Sequence, residues 1–427
     1  MSQVASGAAH LDRFGNPIDE KVGYARGRIL ASSADEIART MYSRAVVRDR
    51  VSRLGEESVF DLSGLPRGFP LEPEDLPKLR SQLMYYAYFD RTAEELAVRF
   101  MGGDPEVHGA VYLNRVSAGM LAVALALVSR GDAVVSLVPR GRSHPSVQRA
   151  VELAGGRFAD VVGIDAFEAA LGEQSPRLAV ATPITPAKHH LPAPDLVRFV
   201  ELCRREGVTT FVDDAHMASR VGFYDDPLPF QCAPIDLAIL STDKHILGPR
   251  AGVVVGRKDL VSRVRSRAME FGLECQSGHY ASARRALERH RLEPIKNAGE
   301  LAREVLARME RRYGSGRFYL AGPGVAISGE DALSLALELS AKPSADLVPN
   351  EAATVVCNHM LREHGVLTVS SVSMPGSAPV VRVMMFPDGA KLGAERVVAA
   401  LEDGLARLQE VLDRPEAARE VILGPAG

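Results

Sequence analysis

The sequence predicts an α/β fold in which a seven-stranded, mostly parallel sheet lies between helices, followed by a smaller C-terminal α/β domain. Seven runs between residues 110 and 255 are almost continuously apolar and rich in β-branched residues. Segments with helical spacing lie between most of them, and such alternation is typical of a parallel sheet covered on both faces. The predicted strands are Ala110–Leu113, Ala133–Val138, Phe158–Val162, Leu178–Ala181, Val208–Val212, Leu237–Leu240 and Gly252–Val255. The predicted helices between them are Ala118–Ser129, Pro145–Ala154, Ala166–Leu171 and Pro194–Arg205.

Helical segments flank this sheet on both sides. Ser33–Arg50 has helical spacing and a Ser-x-x-Glu start from Ser33 to Glu36, the pattern of a capping box. Further helices are expected at Lys258–Phe271, Tyr280–Arg312, Asn350–Glu363 and Ala394–Leu412, with small-domain strands at Val325–Ser328 and Val380–Met385. We therefore expect an N-terminal arm at residues 1–60, a large domain at 61–285, and a small domain at 286–427 that includes the interdomain helix.

Composition and charge exclude several functional classes. The formal net charge of −3 gives no general attraction to nucleic acid or to a membrane surface. No apolar run approaches the ~18–20 residues that span a bilayer. The N-terminus lacks a charged region followed by an apolar one, so we expect a cytoplasmic protein. The four cysteines have no CxxC spacing, which predicts neither a disulfide framework nor a metal site.

A polar turn between the last two apolar runs contains the residue on which the functional prediction depends. This turn reads Ser241-Thr242-Asp243-Lys244-His245. A lysine is rare at the mouth of a core unless its amine has a chemical role. A desolvated amine loses its proton readily and becomes a nucleophile, which suits a Schiff base. The alternative is that Lys244 is a surface lysine that caps a strand.

An acidic residue upstream favours the first interpretation. Asp213 directly follows the run Val208–Val212, in the segment FVDDAH. A carboxylate at the end of a buried strand suits a partner for the pyridinium nitrogen of pyridoxal phosphate. Such a carboxylate keeps the ring nitrogen protonated, and the protonated ring acts as an electron sink.

The segments FVDDAH and STDKHILGPRAG together resemble the fold type I pyridoxal-phosphate enzymes. The lysine turn is similar to those of bacterial selenocysteine synthase and serine hydroxymethyltransferase, and the match extends over roughly residues 100–260. The resemblance implies pyridoxal 5'-phosphate as the cofactor, Lys244 as the residue that binds it covalently and Asp213 as the pyridinium partner. It also implies a small-molecule amino-acid substrate and a homodimer in which the N-terminal arm lies across the partner subunit.

The cofactor phosphate has two groups of candidate partners. Ser117, Ala118 and Gly119 come where the first predicted strand passes into a helix. Small residues there let backbone N–H groups approach an anion, and the helix dipole favours a phosphate. The alternative is an ordinary helix start with an N-capping serine. By resemblance, Ser241 and Thr242 supply further phosphate hydroxyls.

The residue His144 is expected to stack on the cofactor ring. It follows the second predicted strand, in VPRGRSHPSV, beside Arg140 and Arg142. A flat side chain on the pyridine holds the ring plane, so that the bond to be broken stands perpendicular to it. The alternative is a turn histidine before Pro145. Arg140 and Arg142 are either solvated residues at the edge of the site or residues that bind an anionic substrate.

Polar residues after the fourth and fifth strands are further candidates. Thr182 is expected to contact the ring oxygen of the cofactor, because open α/β sheets bind ligands at strand carboxyl ends. His216 is expected to bond the same oxygen or to orient Asp213, with a packed structural role as the alternative. His189 and His190 are adjacent, so they do not point the same way from an extended chain, and one of them is a candidate acid or base.

Two arginines are candidates for binding the substrate. Arg250 lies in the Gly-Pro-Arg-Ala-Gly turn, and Arg382 lies within the apolar run PVVRVMMF of the small domain. In the resembled family, an arginine near the position of Arg382 binds the substrate α-carboxylate through two parallel hydrogen bonds. A charged residue inside an apolar strand needs a partner. The alternative to substrate binding is that Arg382 forms a structural salt bridge.

Three reactions are compatible with these residues. The first is chemistry at the α or β carbon of an amino acid, by an aldolase, transaldolase or β-replacement enzyme, and the GPRAG turn favours it. The second is transamination, which nothing in the sequence excludes. The third is oxygen-dependent decarboxylation and oxygenation of a bulky amino acid, as in relatives from nucleoside-antibiotic pathways such as the capuramycin pathway. A non-enzymatic binding protein is disfavoured by the presence of both Lys244 and Asp213.

Overall fold

A computed structural model describes residues 10–425, which divide into two compact units. One unit contains residues 65–296, and the other combines residues 10–64 with residues 297–425. We call them the central unit and the composite unit. Among the described residues, no helix combines the length and the apolar character that crossing a membrane requires.

The secondary structure of the described chain is as follows. The strands are β1 (Ile18–Asp19), β2 (Tyr24–Ala25), β3 (Phe60–Asp61), β4 (His108–Leu113), β5 (Ala133–Val138), β6 (Arg157–Val162), β7 (Leu178–Ala181), β8 (Thr209–Asp213), β9 (Leu237–Ser241), β10 (Gly252–Arg257), β11 (Phe318–Leu320), β12 (Gly324–Ser328), β13 (Val366–Leu367) and β14 (Val380–Met384). The helices are α1 (Ser33–Leu54), α2 (Gln82–Phe100), α3 (Val116–Leu127), α4 (Pro145–Leu153), α5 (Ile164–Gln174), α6 (Ala193–Arg205), α7 (Met217–Tyr224), α8 (Pro229–Cys232), α9 (Lys258–Glu270), α10 (Ser277–Arg289), α11 (Glu293–Tyr313), α12 (Gly329–Leu339), α13 (Pro349–His364), α14 (Val369–Val372), α15 (Gly389–Leu392), α16 (Ala394–Val411) and α17 (Pro415–Leu423). Single 3₁₀ turns lie at Glu56–Ser58 and Lys78–Arg80.

The central unit contains the seven-stranded sheet that the sequence predicts. Its strand order is β4-β10-β9-β8-β7-β5-β6. The pairs from β9 to β6 are parallel, whereas β10 runs antiparallel to both β9 and β4. Each of the seven predicted runs overlaps one of these strands, so the predicted fold class is confirmed.

The core of this sheet explains why the runs are continuously apolar. Strands β5, β7 and β9 are buried along their whole length, because helices cover the sheet on both faces. Helix α3 packs so closely on the sheet that Gly119 has no room for a side chain. A Cβ atom built there would lie 2.3 Å from Cδ1 of Ile239. Close helix–sheet packing therefore accounts for Gly119.

The composite unit has a small antiparallel sheet of order β11-β12-β14. Helix α13 is buried along most of its length, as expected for a helix with neighbours on several sides. The expected small-domain elements appear as β12, α13, β14 and α16.

The N-terminal segment differs from the separate arm that the sequence predicts. The described part of it belongs to the same unit as the C-terminal residues. The buried Glu351 carboxylate accepts hydrogen bonds from the backbone N–H groups of Ile29, at 2.7 Å, and Leu30, at 2.9 Å. Arg39 donates to the Ser373 carbonyl at 2.8 Å. These long-range bonds, which the sequence pattern does not reveal, attach the segment to its own chain.

Two helix predictions were wrong in detail. The capping box of α1 uses Ser32 and Asp35, not Ser33 and Glu36. Glu36 is instead buried, where it accepts from Arg26 at 2.7 Å.

The expected single helix at Tyr280–Arg312 is two helices, α10 and α11. Pro294 explains the break, because proline lacks the N–H that a continuing helix requires but fits the first turn of a new one.

Candidate active site

The carboxyl edge of three neighbouring parallel strands forms the candidate site. Strands β7, β8 and β9 end at Ala181, Asp213 and Ser241. The register pairs Ala181 with Val212 and Asp213 with Ile239, so the strand ends lie side by side. Polar residues that are distant in sequence are thereby brought to one edge, where open α/β sheets bind ligands.

Lys244 lies in a closed turn after β9. The N–H of Thr242 donates to the Ala251 carbonyl at 3.0 Å, and that of Gly248 donates to the Thr242 carbonyl at 3.0 Å. A Cβ atom at Gly248 would lie 2.6 Å from that carbonyl oxygen, so only glycine closes the turn this way. Lys244 itself is half-buried. The turn therefore holds an amine at the mouth of the core, as the sequence predicts.

The hydroxyls of Ser241 and Thr242 bond within the lysine turn in this structure. Ser241 Oγ donates to Asp243 Oδ1 at 2.6 Å, and Thr242 Oγ1 donates to the Pro249 carbonyl at 2.6 Å. Their role in binding the cofactor phosphate stays a prediction.

Asp213 is buried at the end of β8, with 5% of its surface exposed. Burial raises the pKa of its carboxyl to about 6, and the positive charge of Lys244 opposes this rise. The N–H of Ala215 donates weakly to Oδ1 at 3.4 Å. Because Asp213 ends β8 and Lys244 lies in the turn after the neighbouring strand β9, both residues belong to the same sheet edge.

His144 occupies the N-cap position of α4. Its Nδ1 accepts from the Ser146 N–H at 3.2 Å and lies 2.7 Å from Ser146 Oγ. Burial lowers the pKa of the imidazole to about 3, assisted by the positive charges of Lys244, Arg149 and Arg115. His144 is therefore neutral at physiological pH. A flat, uncharged ring suits stacking, but it does not supply protons by titration.

The start of α3 presents unused backbone donors near this edge. Arg115 is the N-cap, and helical hydrogen bonding begins with the Gly119 N–H, which donates to the Arg115 carbonyl at 3.1 Å. The N–H groups of Val116, Ser117 and Ala118 precede it and have no acceptor within the helix. The Gly119 N–H is bonded within the helix, and the roles of Ser117, Ala118 and Gly119 in binding the phosphate stay predictions.

Thr182 directly follows β7 and is buried. Its backbone N–H donates to the Leu137 carbonyl at 3.0 Å, which fixes the residue. Its Oγ1 atom is buried and has no hydrogen-bond partner among residues 10–425. A buried hydroxyl without a partner is costly in a folded chain and often indicates a ligand contact.

The two adjacent histidines have different surroundings. His190 Nε2 lies 2.8 Å from Asp226 Oδ2, and its ring stacks on Tyr224 with a centroid distance of 3.9 Å. Asp226 also pairs with Arg220. His190 therefore belongs to a structural network. His189 is half-buried, and burial lowers the pKa of its imidazole, as does the positive charge of Arg140.

Sequence reasoning missed two features of this edge. Asp214 forms a fully buried ion pair with Arg220, at 2.6 Å, which anchors the segment after β8. Lys188 is 4% exposed, and its Nζ lies 2.7 Å from both ring nitrogens of His216. Lys188 lies in a loop after β7, where a lysine is usually solvated, so no local pattern in the sequence indicated its burial.

The two candidate substrate arginines lie in different units. Arg250, in the central unit, has its Nε 3.9 Å from Asp243 Oδ2, and Arg67 approaches the same oxygen at 3.6 Å. Arg382, in the composite unit, is 7% exposed on β14, and burial lowers the pKa of its guanidinium to about 10. The substrate-binding role of each stays a prediction.

A sequence model of the aminotransferase class I and II family matches residues 80–401. The chain belongs to this family. It is 29% identical over 398 residues to a protein of Methanothermobacter thermautotrophicus named UPF0425 pyridoxal phosphate-dependent protein. The alignment covers 93% of this chain and 100% of the relative. It is more distantly similar to serine hydroxymethyltransferase 1 of Pseudomonas fluorescens, with 28% identity over 229 residues, 48% of this chain and 53% of the relative.

Solved aminotransferase structures have the same fold as this family member. Histidinol-phosphate aminotransferase from Sinorhizobium meliloti, in complex with pyridoxal-5'-phosphate, superposes with a TM-score of 0.59 at 17% identity. The likeness covers 85% of this chain and 95% of that one. The protein is therefore a fold type I, pyridoxal-phosphate-dependent enzyme, as predicted. The residues at the carboxyl edge fit that cofactor, because a buried carboxyl, a half-buried amine and the orphaned Thr182 hydroxyl are present together.

Proposed function

We propose that Lys244 binds pyridoxal phosphate covalently and that the enzyme transforms a bond at the α or β carbon of an amino acid. The observation that supports this most directly is that Asp213 ends β8 and Lys244 follows the neighbouring strand β9, which places both residues at one sheet edge. When bound, the cofactor supplies an electron sink conjugated to the substrate α-carbon. Residues of the chain then decide which bond is broken.

Each residue has a separate task in this proposal. The Lys244 amine takes and returns a proton at the α-carbon, because a half-buried amine is a usable base. The Asp213 carboxylate holds a proton on the ring nitrogen, and the neutral His144 ring supports the ring face. The N–H groups of Val116, Ser117 and Ala118 bind the phosphate. Thr182 and His216 contact the polar edge of the ring.

Cleavage or replacement at the α or β carbon is the reaction we favour. The similarity to serine hydroxymethyltransferase over about half the chain supports it, as does the GPRAG turn that follows Lys244. We propose Arg382 and Arg250 as the residues that bind the substrate carboxylate. A homodimer, which is usual for this fold, is also proposed, and light scattering of the purified protein tests it.

Transamination is the second candidate. The family model that matches residues 80–401 is described as aminotransferase class I and II, and this match favours it. The two reactions differ in what they consume. Transamination leaves the amino group on the enzyme and requires a keto acid to remove it, whereas cleavage or replacement returns the cofactor in its starting form without a keto acid.

An amino-acid panel with three readouts tests the proposal. The holoenzyme is incubated with single amino acids, and aldehyde release, keto-acid release and oxygen uptake are measured in parallel. We expect aldehyde or β-product formation without a keto-acid requirement. Keto-acid release that depends on an acceptor keto acid would assign transamination instead. Oxygen uptake coupled to decarboxylation would assign the oxidative reaction.

A further inference from the structure

A second buried lysine lies at the same sheet edge, on the turn that follows β7. Lys188 is 4% exposed, an unusual environment for an ammonium group without a specific role. Its N–H donates to the Thr185 carbonyl at 2.8 Å. The Thr185 N–H donates to the His189 carbonyl at 3.1 Å, and Thr185 Oγ1 accepts from the His189 N–H at 3.1 Å. This network fixes the direction in which the lysine leaves the chain.

The backbone at Lys188 is held in an unfavourable conformation. Its φ angle is +71°, in the left-handed region, where a residue other than glycine costs of order 1 kcal/mol or more. A strained, buried, charged residue persists only where the surrounding structure requires its position. The turn therefore directs the Lys188 side chain toward a specific partner.

That partner is His216. Lys188 Nζ lies 2.7 Å from both Nδ1 and Nε2 of the imidazole. His216 follows Asp213 by three residues and is the N-cap of α7, where its side chain makes no capping bond. Its ring centroid lies 6.3 Å from that of His245, the neighbour of Lys244. Lys188 therefore contacts a ring that lies close to Asp213 in sequence and 6.3 Å from the ring that follows Lys244.

The chemistry of the contact restricts the state of His216. An ammonium group only donates hydrogen bonds, so an imidazole nitrogen that receives one must be unprotonated. Lys188 Nζ lies equally close to both ring nitrogens, so the contact itself does not select which of them accepts. Lys188 thus restrains the position of the His216 ring.

We propose that Lys188 is a positioning residue of the cofactor site that acts through His216. In this role it holds the imidazole, which follows Asp213 by three residues, in one fixed position toward the bound cofactor. The proposal rests on the proposed function in one respect, namely that Lys244 and Asp213 mark the cofactor position. The alternative is that Lys188 only stabilises its own turn, in which case the removal of His216 does not change the effect of removing Lys188.

A double-mutant cycle on the holoenzyme tests this proposal. The variants are Lys188→Met, His216→Asn and the combination of both. Lys258→Met serves as the matched control, because the Lys258 side chain is exposed and, within residues 10–425, donates a hydrogen bond only to the Glu106 carbonyl. The main readout is circular dichroism of the visible cofactor band without substrate, normalised to bound cofactor, because this signal depends on how rigidly the cofactor is oriented.

We expect Lys188→Met and His216→Asn each to reduce the normalised signal at least twofold, and the double variant to lose no more than either single one. With substrate, kcat should fall in the same pattern. Lys188→Arg, which keeps a donor, should retain more signal than Lys188→Met.

Two results would overturn the proposal. One is a Lys188→Met signal equal to that of Lys258→Met, and the other is a double variant whose loss is the product of the two single losses. If Lys188→Met does not fold, Lys188→Gln, which removes the charge and shortens the side chain, takes its place, and the same two results would overturn the proposal. Failure of the proposed function is seen separately, as covalent cofactor retained by Lys244→Ala.

Discussion

Replacing Asp213 with asparagine is expected to stabilise the protein without cofactor and to weaken its hold on the cofactor. Burial raises the pKa of this carboxyl from its ordinary value of 3.8 to about 6. The folded chain therefore keeps a proton that the unfolded chain has already released. Between these two pH values folding becomes less favourable as the pH rises, because ionising the buried carboxyl costs free energy.

The size of the effect follows from the two pKa values. One pH unit is worth about 1.4 kcal/mol, so the difference corresponds to about 3 kcal/mol when the carboxyl is fully ionised. The cost is about 1 kcal/mol at pH 4.5 and approaches about 3 kcal/mol at pH 8. Asparagine has a similar shape and no charge. The stability gained by the variant should therefore grow with pH over this range.

Urea unfolding of the two apoenzymes measures this difference. The chain has no tryptophan, so far-UV circular dichroism is the suitable signal. Removing the cofactor from the wild type first ensures that ligand binding does not contribute to its stability. In the holoenzyme the order should reverse, with faster loss of cofactor from Asp213→Asn. If the difference in unfolding free energy between wild type and Asp213→Asn did not change between pH 4.5 and pH 8, the assignment of Asp213 as a buried carboxyl with a raised pKa would be refuted.

Two further substitutions test the packing around the site. Gly119→Ala should destabilise the protein by about 1–3 kcal/mol in thermal or urea unfolding, because the added Cβ collides with Ile239. The control is Gly172→Ala, at a helical position where an added Cβ meets no atom within 4 Å. This variant should be neutral or more stable by up to about 1 kcal/mol. Equal changes in stability for the two variants would contradict the packing argument. Asp214→Asn should cost about 3–5 kcal/mol, because it leaves the buried Arg220 charge poorly compensated. A loss below about 1 kcal/mol would show that the pair does not anchor this segment.

The sheet was predictable because its strands are buried on both faces and therefore read as continuous apolar runs. The carboxyl-edge residues were predictable for a related reason, since a polar residue directly after such a run must lie at the strand end. Asp213 and Lys244 come together on this basis alone. His144 was placed at the correct edge, although its neutral state depends on burial and on nearby cations, which the sequence does not specify.

Other features depend on contacts that no local pattern encodes. The hydroxyls of Ser241 and Thr242 bond within the lysine turn, which their place in the sequence does not reveal. The predicted capping box was one residue too late, because Ser32 and Ser33 are both suitable N-cap residues. The burial of Glu36, which accepts from Arg26, leaves Ser32 and Asp35 as the pair that caps the helix. Lys188 was missed because a lysine in a loop is usually solvated. Its left-handed backbone and its contact with His216 appear only in the folded chain.

The most direct test of the central claim is to find which amine carries the cofactor. The purified holoenzyme is reduced with borohydride and digested, and the peptide that carries the pyridoxyl phosphate mass is identified. We predict that the mass lies on Lys244, and that Lys244→Ala binds no cofactor covalently. Labelling of Lys188, or a Lys244→Ala variant that still becomes labelled and retains full activity, would contradict the account.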